Sequence, residues 1–251
     1  MVMKVGIIGC GSIGSFVARW LSESKEFELT CVFDIELDKA ERLAREVKTN
    51  FARDIDEFLK YEMDVVIESA SQQAVFDYAE KIIKAGKDLI VLSVSAFANE
   101  EFYNKIRELA SKYGRKIYIP SGALAGVDAI SSLAGYVEEV ILITRKNPAS
   151  FNGRYGVLFE GNARDAVKLY PRNLNVAATL GLAVGFDKVK VKVIAEDVKE
   201  NIHEVFVNGK FGEIKIVTKN KKMEDNPRTS YLAAFSVIKI LKDLKNSIVL
   251  F

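Results

Sequence analysis

Through the first 120 residues, short apolar runs alternate with segments whose apolar residues recur every three or four positions. A continuous apolar run of ~4–8 residues fits a buried strand, whereas the three-four spacing marks one face of a helix. Residues 4–8, 27–33, 64–67, 88–92 and 116–119 read as strands, and residues 13–21, 37–44, 72–85 and 99–113 as helices. In the first helix Ile13, Phe16, Val17, Trp20 and Leu21 share a side. Strict alternation of strand and helix predicts an α/β domain of Rossmann type, a doubly wound parallel sheet.

The grammar changes near Pro120. Small residues (Ser121, Gly122, Ala123, Gly126) lead into a helix over 125–133, after which 136–144, 189–195, 203–207 and 213–218 read as strands and 163–169 and 176–183 as helices. Asn208-Gly209 separates the last two strands and predicts a hairpin, because Asn-Gly supplies the positive φ of a type I′ turn. Strands joined by tight turns are antiparallel, so a C-terminal α+β domain with a mainly antiparallel sheet is expected. A last helix over 227–244 is expected to return to the first domain, capped by Asn226, with Pro227 at its first position and Tyr231, Leu232, Phe235, Ile238, Ile240 and Leu241 along one stripe. Its free N–H groups would suit an anion. The expected division is 1–120, with 227–251 packing back on it, and 121–226.

Composition narrows the partners. With 49% hydrophobic residues in 251, the chain can bury a large core and is not a disordered polymer. Lys and Arg total 36 against 34 Asp and Glu, and the net +2 is spread along the chain, which argues against a nucleic-acid partner. No apolar run reaches the ~18 residues of a membrane span, and the first strand starts too close to Met1 to leave room for a signal peptide. A cytoplasmic protein with no membrane partner is expected. Cys10 and Cys31 follow neither a disulfide framework nor a metal-ligand spacing, and Glu68, Asp128 and Glu160 have no His or Cys partner at such a spacing, so no metal is expected.

Between the first strand and helix, Gly9, Gly11 and Gly14 form G-x-G-x-x-G, with Ser12 and Ile13 inside it. These glycines give a tight turn, a close backbone approach to a pyrophosphate and close helix packing, while N–H groups at the helix start attract the phosphates. Asp34 follows Gly14 by 20 residues at the end of the second strand, where a carboxylate accepts hydrogen bonds from an adenosine ribose. A 2′-phosphate would meet that carboxylate, so NAD is expected over NADP; Lys39 and Arg42 further on keep NADP use open. Residues 68–73, with Ala70, 93–95, with Ser93, and 120–122 follow strand carboxyl ends and are expected to line the nicotinamide half.

His203 is the single histidine, within Glu200-Asn201-Ile202-His203-Glu204. Together with Ile119-Pro-Ser-Gly-Ala-Leu-Ala-Gly-Val-Asp-Ala-Ile130, Thr144-Arg-Lys-Asn-Pro148, Phe159-Glu-Gly161, Pro171-Arg-Asn-Leu-Asn-Val-Ala-Ala-Thr179 and Asn226-Pro-Arg-Thr-Ser-Tyr-Leu232, this segment resembles the L-aspartate dehydrogenase family over nearly the whole chain. That family is similar in layout to homoserine dehydrogenases and dihydrodipicolinate reductases. The resemblance implies that His203 is catalytic and that Ala123 and Asn175 contact the nicotinamide cofactor. Asn162 departs from the small residue usual after Phe-Glu-Gly.

The implied reaction oxidises L-aspartate with NAD(P) to iminoaspartate, which water converts to oxaloacetate and ammonia, a step that would serve NAD biosynthesis. A histidine near its ordinary pKa of ~6.5 would take a proton from the attacking water and return one to the departing nitrogen. Asn201 lies on the same side of an extended segment as His203 and is a candidate to orient substrate. Lys146 is the candidate cation for a carboxylate, with Arg145 turned to the opposite face; Lys168, Arg172 and Arg228 are further cations of the same half. The alternatives are a related dehydrogenase or reductase with another substrate, and a noncatalytic dinucleotide sensor. An exposed face on the antiparallel sheet would suit a homodimer.

Overall fold

The computed structural model describes residues 2–224 and 226–250, without the side chains of Pro227 and Arg228, so the expectation placed on Arg228 lies outside the described residues. The chain divides into two compact units, Met1–Pro120 with Val237–Leu250, and Ser121–Ser236.

The first unit alternates strand and helix: β1 (Met3–Ile8), α1 (Ser12–Ser22), β2 (Phe27–Phe33), α2 (Leu37–Val47), β3 (Asn50–Ala52), α3 (Ile55–Phe58), β4 (Val65–Glu68), α4 (Gln72–Lys84), β5 (Asp88–Val91), α5 (Glu100–Tyr113) and β6 (Ile117–Tyr118). Its sheet runs β3-β2-β1-β4-β5-β6, parallel at every pairing. That is the 3-2-1-4-5-6 order of the Rossmann fold, with its ligand crevice at the carboxyl ends of β1 and β4 where the order reverses. Val5, Ile7 and Ile8 of β1 and Val65, Val66 and Ile67 of β4 are fully buried, as central parallel strands covered on both faces require. Burying each such side chain contributes ~1.5–3 kcal/mol. The three-residue β3 and the single turn α3 carry too few apolar positions for a period to show, and the sequence pattern had not marked them.

The second unit holds α6 (Val127–Ser132), β7 (Val137–Lys146), β8 (Gly156–Asn162), α7 (Ala163–Leu169), α8 (Asn175–Val184), β9 (Val189–Ala195), β10 (Asn201–Gly209), β11 (Gly212–Asn220), β12 (Lys222–Met223) and β13 (Asn226–Ser230). Its five-stranded sheet runs β11-β10-β7-β9-β8, antiparallel except for the parallel pair β7 and β9. From Val140 along β7, and along β9 and β10 as far as Val207, every second residue is buried, so one face of this sheet belongs to the core and the other is half-exposed.

Two local expectations are corrected. The β10–β11 hairpin exists, but its turn falls on Lys210-Phe211, with Gly209 opposite Gly212, and the positive φ of +116° sits on Gly212. Gly209 serves close approach instead: a Cβ there would lie 2.2 Å from the Tyr136 carbonyl oxygen. The last helix, α9 (Tyr231–Lys245), starts later than expected. Asn226–Ser230 is extended and paired with β12, because a residue before proline is pushed out of the helical region. Hence neither an Asn226 cap nor a helix N-terminus at Pro227 exists to attract an anion. From Val237 onward α9 groups with the first unit, where Val237, Ile238 and Leu241 are buried, while Phe235 is 53% exposed. No helix among the described residues is long and apolar enough to cross a membrane.

Candidate active site

At the carboxyl end of β1 the chain turns through Gly9, whose φ of +97° only glycine adopts readily. A Cβ on Gly14 would sit 1.9 Å from the Gly9 carbonyl oxygen, so α1 can pass this close to the turn only with glycine there. Gly11 is different: nothing lies within 4 Å of where its Cβ would be. Its bare backbone faces open space at the start of α1, whose first turn has no acidic residue and whose cap uses no side chain. A cradle left open by a missing side chain at an uncapped helix start fits a pyrophosphate. Asp34 closes the turn, its Oδ2 accepting from Cys10 N at 2.8 Å and its Oδ1 from Glu36 N at 2.9 Å. The Cys10 thiol beside it is pushed up to about 12 by burial and by the Asp34 charge, so it stays protonated.

The neighbouring loops hang from one buried carboxylate. Glu68, 1% exposed at the end of β4, accepts from Ala70 N at 2.8 Å, Ser71 N at 3.0 Å, Ser93 N at 3.0 Å and Ser93 Oγ at 2.8 Å. Burial raises its pKa, against the pull of these donors. Glu68 thus ties the loops after β4 and β5 together and fixes Ala70 and Ser93. Ser69 completes the knot by donating to Gly9 O at 3.0 Å.

In the second unit the polar groups are side chains on the buried face of the sheet. Thr144 and Lys146 lie on β7, Asn201 and His203 on β10, and they are 0, 4, 0 and 1% exposed respectively. Register brings them together, since His203 is opposite Thr144 on one side and opposite Thr218 of β11 on the other. Thr144 Oγ1 lies 3.0 Å from His203 Nδ1. Asn201 Nδ2 donates to Ser230 Oγ at 3.3 Å, a contact made by the extended course of β13. Thr218 Oγ1 and Asn220 Nδ2 donate to Ala123 O at 3.2 and 2.9 Å, which holds Ala123 against the strand that pairs with β10. Lys146 Nζ donates to Asn173 O at 3.2 Å, two residues before Asn175 at the start of α8. Beside Asn173 is a cavity of about 250 Å³, also lined by Ser150, Arg154, Tyr170 and Arg172.

Burial, and behind it the positive charge of Lys146, pushes the His203 imidazole down from 6.5 to about 3. The expectation of a histidine poised near neutrality is therefore corrected: His203 is uncharged across the neutral range, because imidazolium would sit without water beside a cation.

Residues 9–120 match a family model described as the NAD binding domain of homoserine dehydrogenase, and residues 128–244 match one described as the C-terminal domain of aspartate dehydrogenase. An L-aspartate dehydrogenase of Archaeoglobus fulgidus is 53% identical over 98% of this chain and 100% of its own length. The chain belongs to the L-aspartate dehydrogenase family. A relative of the same description from Methanocaldococcus jannaschii is 37% identical over 97% of both chains. The crystal structure of aspartate dehydrogenase from Thermotoga maritima superposes with a TM-score of 0.79 at 30% identity, covering 100% of each chain. NAD(P) is thus the cofactor class of this family member, and its first unit is the NAD-binding domain.

The residues singled out from the sequence fall into two groups in this aspartate dehydrogenase family member. Gly9, Gly11, Ser12, Ile13, Gly14, Asp34, Ala70 and Ser93 gather at the carboxyl end of the parallel sheet. Ala123, Lys146, Asn175, Asn201 and His203 belong to the second unit. Among the other cations, Arg145 points to the opposite face and pairs with Glu196 at 3.2 Å and Glu204 at 3.8 Å. Lys168 is exposed, and Lys39 is held by Glu36 at 2.5 Å on the surface of α2. Asn162 caps α7, its Oδ1 accepting from Asp165 N at 2.9 Å, which gives that departure from the family pattern a local reason. Thr144, Thr218, Asn220 and Ser230 were not singled out, because only strand register shows whom they face.

Proposed function

We propose that the protein is an L-aspartate dehydrogenase that oxidises the CH–NH2 group of L-aspartate to iminoaspartate, which water converts to oxaloacetate and ammonia. The observation that carries this reading is the gathering of the only histidine, a buried cation and a buried amide on one sheet face of a family member. Gly9, Gly11, Ser12, Ile13 and Gly14 hold the cofactor's pyrophosphate, Asp34 the adenosine ribose, and Ala70, Ser93, Ala123 and Asn175 flank the nicotinamide. When bound, the nicotinamide supplies the acceptor for the hydride leaving Cα. Lys146 attracts a substrate carboxylate, Asn201 orients the substrate through its amide, and His203 meets it as a neutral imidazole at the reacting carbon. The carboxylate of Asp34 favours NAD over NADP.

The division of labour follows the two units: 1–120 binds the dinucleotide, and 121–226 binds substrate and a second copy of the chain. The half-exposed sheet face, with Ile141, Ile143 and Phe206 among ion pairs, supports a homodimer. The products fit a cytoplasmic role in NAD biosynthesis.

The test is NADH formation with L-aspartate, set against D-aspartate, L-glutamate and L-homoserine, in the native protein and in His203→Ala. Turnover is expected with L-aspartate, falling by ~10²–10⁴ in kcat on substitution while the NAD dissociation constant holds. Preference for L-homoserine, or NAD binding without turnover of any of the four, overturns the reading.

A further inference from the structure

We infer that Thr144 fixes the tautomer of His203, so that the neutral imidazole carries its hydrogen on Nε2 and faces substrate as a hydrogen-bond donor. This rests on the reading above that His203 touches substrate; Thr144 is a positioning residue, acting through it.

Hydrogen-bond satisfaction decides the tautomer. Thr144 is 0% exposed, and its hydroxyl has one hydrogen-bond partner among the described residues, His203 Nδ1 at 3.0 Å. A hydroxyl carries one hydrogen that needs an acceptor. If Nδ1 were protonated, it would donate to Oγ1 and leave the threonine hydrogen buried with no acceptor. If Nδ1 is bare, the threonine donates to it and both groups are satisfied. A buried donor without an acceptor biases such an equilibrium by about tenfold or more. Thr218, on the other side of His203, does not compete, because its hydroxyl donates to Ala123 O.

Strand geometry makes the arrangement rigid. Thr144 and His203 are directly paired residues of β7 and β10, and a β-branched side chain in a strand has few χ1 states. The remaining ring nitrogen, Nε2, has no hydrogen-bond partner among the described residues, so it is the atom left for a ligand. The charged and titratable surroundings agree: Lys146 shares the buried face and Asn201 adds an amide, whereas Glu204 points to the opposite face with Arg145. An Nε2–H beside an ammonium makes two donors and no acceptor, a pair suited to the oxygens of a dicarboxylate. His203 then meets the substrate as a neutral hydrogen-bond donor. Its low basicity, from burial and from Lys146, agrees with that role.

A single histidine makes the test direct. Full-length protein labelled with 15N-histidine gives one imidazole in a two-bond proton–nitrogen correlation spectrum, whose pattern distinguishes the Nε2–H tautomer, the Nδ1–H tautomer and imidazolium. The native protein is expected to show Nε2–H. Thr144→Val should shift the population toward Nδ1–H or a mixture and lower kcat about tenfold or more with KM for NAD unchanged, and Thr144→Ser should restore both. A native spectrum of Nδ1–H or imidazolium overturns the inference, as does an unchanged tautomer in a folded Thr144→Val. Should the valine variant not fold, the native and serine spectra decide alone. An Nε2–H spectrum in a protein that does not turn over L-aspartate leaves the tautomer standing and overturns the substrate reading instead.

Discussion

The nucleotide turn of the first unit and the polar face of the second are built by opposite means. At the turn, side chains are absent: Gly9 adopts a positive φ, Gly14 lets a helix come within reach of a carbonyl, and Gly11 leaves the backbone bare. On the polar face the backbone is ordinary β-strand, and what is assembled is side chains, Thr144 against His203 and Asn201 against Ser230. They also treat charge differently. Buried Glu68 meets four donors, while buried His203 avoids charge altogether. A site made of backbone tolerates almost no added atom, whereas a site made of side chains depends on which strand lies opposite which.

The sharpest way to break that comparison is to add one carbon at two glycines. Gly14→Ala places Cβ 1.9 Å from the Gly9 oxygen, a contact no rotamer change relieves. NAD binding should be lost, with a dissociation constant raised at least ~100-fold, corresponding to about 2.7 kcal/mol, and the melting temperature should drop. Gly11→Ala meets no protein atom within 4 Å. It should leave the melting temperature nearly unchanged and still weaken NAD, because the added methyl occupies the pyrophosphate's approach. Equal loss of stability in both variants would mean that the two glycines do the same work.

This contrast explains what could be read in the sequence. The turn was legible because its requirement is local: three glycines and an aspartate at fixed offsets carry the whole geometry. The alternating pattern likewise disclosed the parallel sheet, since buried central strands are continuous apolar runs. His203 and Asn201 could be placed on one side of a strand by their two-residue spacing, but not Thr144, 59 positions from its partner. The low basicity of His203 was hidden for the same reason, as it depends on burial and on Lys146 from another strand. The late start of α9 was missed because Asn-Pro-Arg reads equally as a helix cap or an extended segment, and pairing with β12 decides.

Acid tests the second difference, and the two buried groups should respond with opposite sign. His203 titrates near 6.5 when unfolded and at about 3 when folded. Between those values the unfolded chain holds a proton that the native chain refuses, so stability is lost as pH falls from about 6.5 toward about 3. At about 1.4 kcal/mol per pKa unit the loss is a few kcal/mol. Glu68 has a folded pKa above the ordinary 4.5, so its ionisation costs stability as pH rises above that value, and acid relieves it. Urea unfolding across the acid range should show that His203→Gln flattens the loss toward low pH, while Glu68→Gln steepens it. Parallel changes in the two variants would mean that burial does not disfavour the charged form of both groups.

The smallest effect bears on the division into two units. Asn99 caps α5 in the first, its Oδ1 accepting from Phe102 N at 3.0 Å, and Asn162 caps α7 in the second, accepting from Asp165 N at 2.9 Å. Both caps are exposed and chemically alike, so Asn99→Ala and Asn162→Ala should each cost about 1 kcal/mol. Calorimetry then reads cooperativity rather than magnitude. If the units unfold separately, Asn99→Ala should shift only the transition that carries the parallel sheet and Asn162→Ala only the other, and the double variant should show both shifts unchanged. If α9, which runs from one unit into the other, couples them into one transition, each substitution should lower a single melting temperature by a few degrees and the two should add. A shift of both transitions by either single substitution would show that the boundary at Pro120 does not separate two folding units.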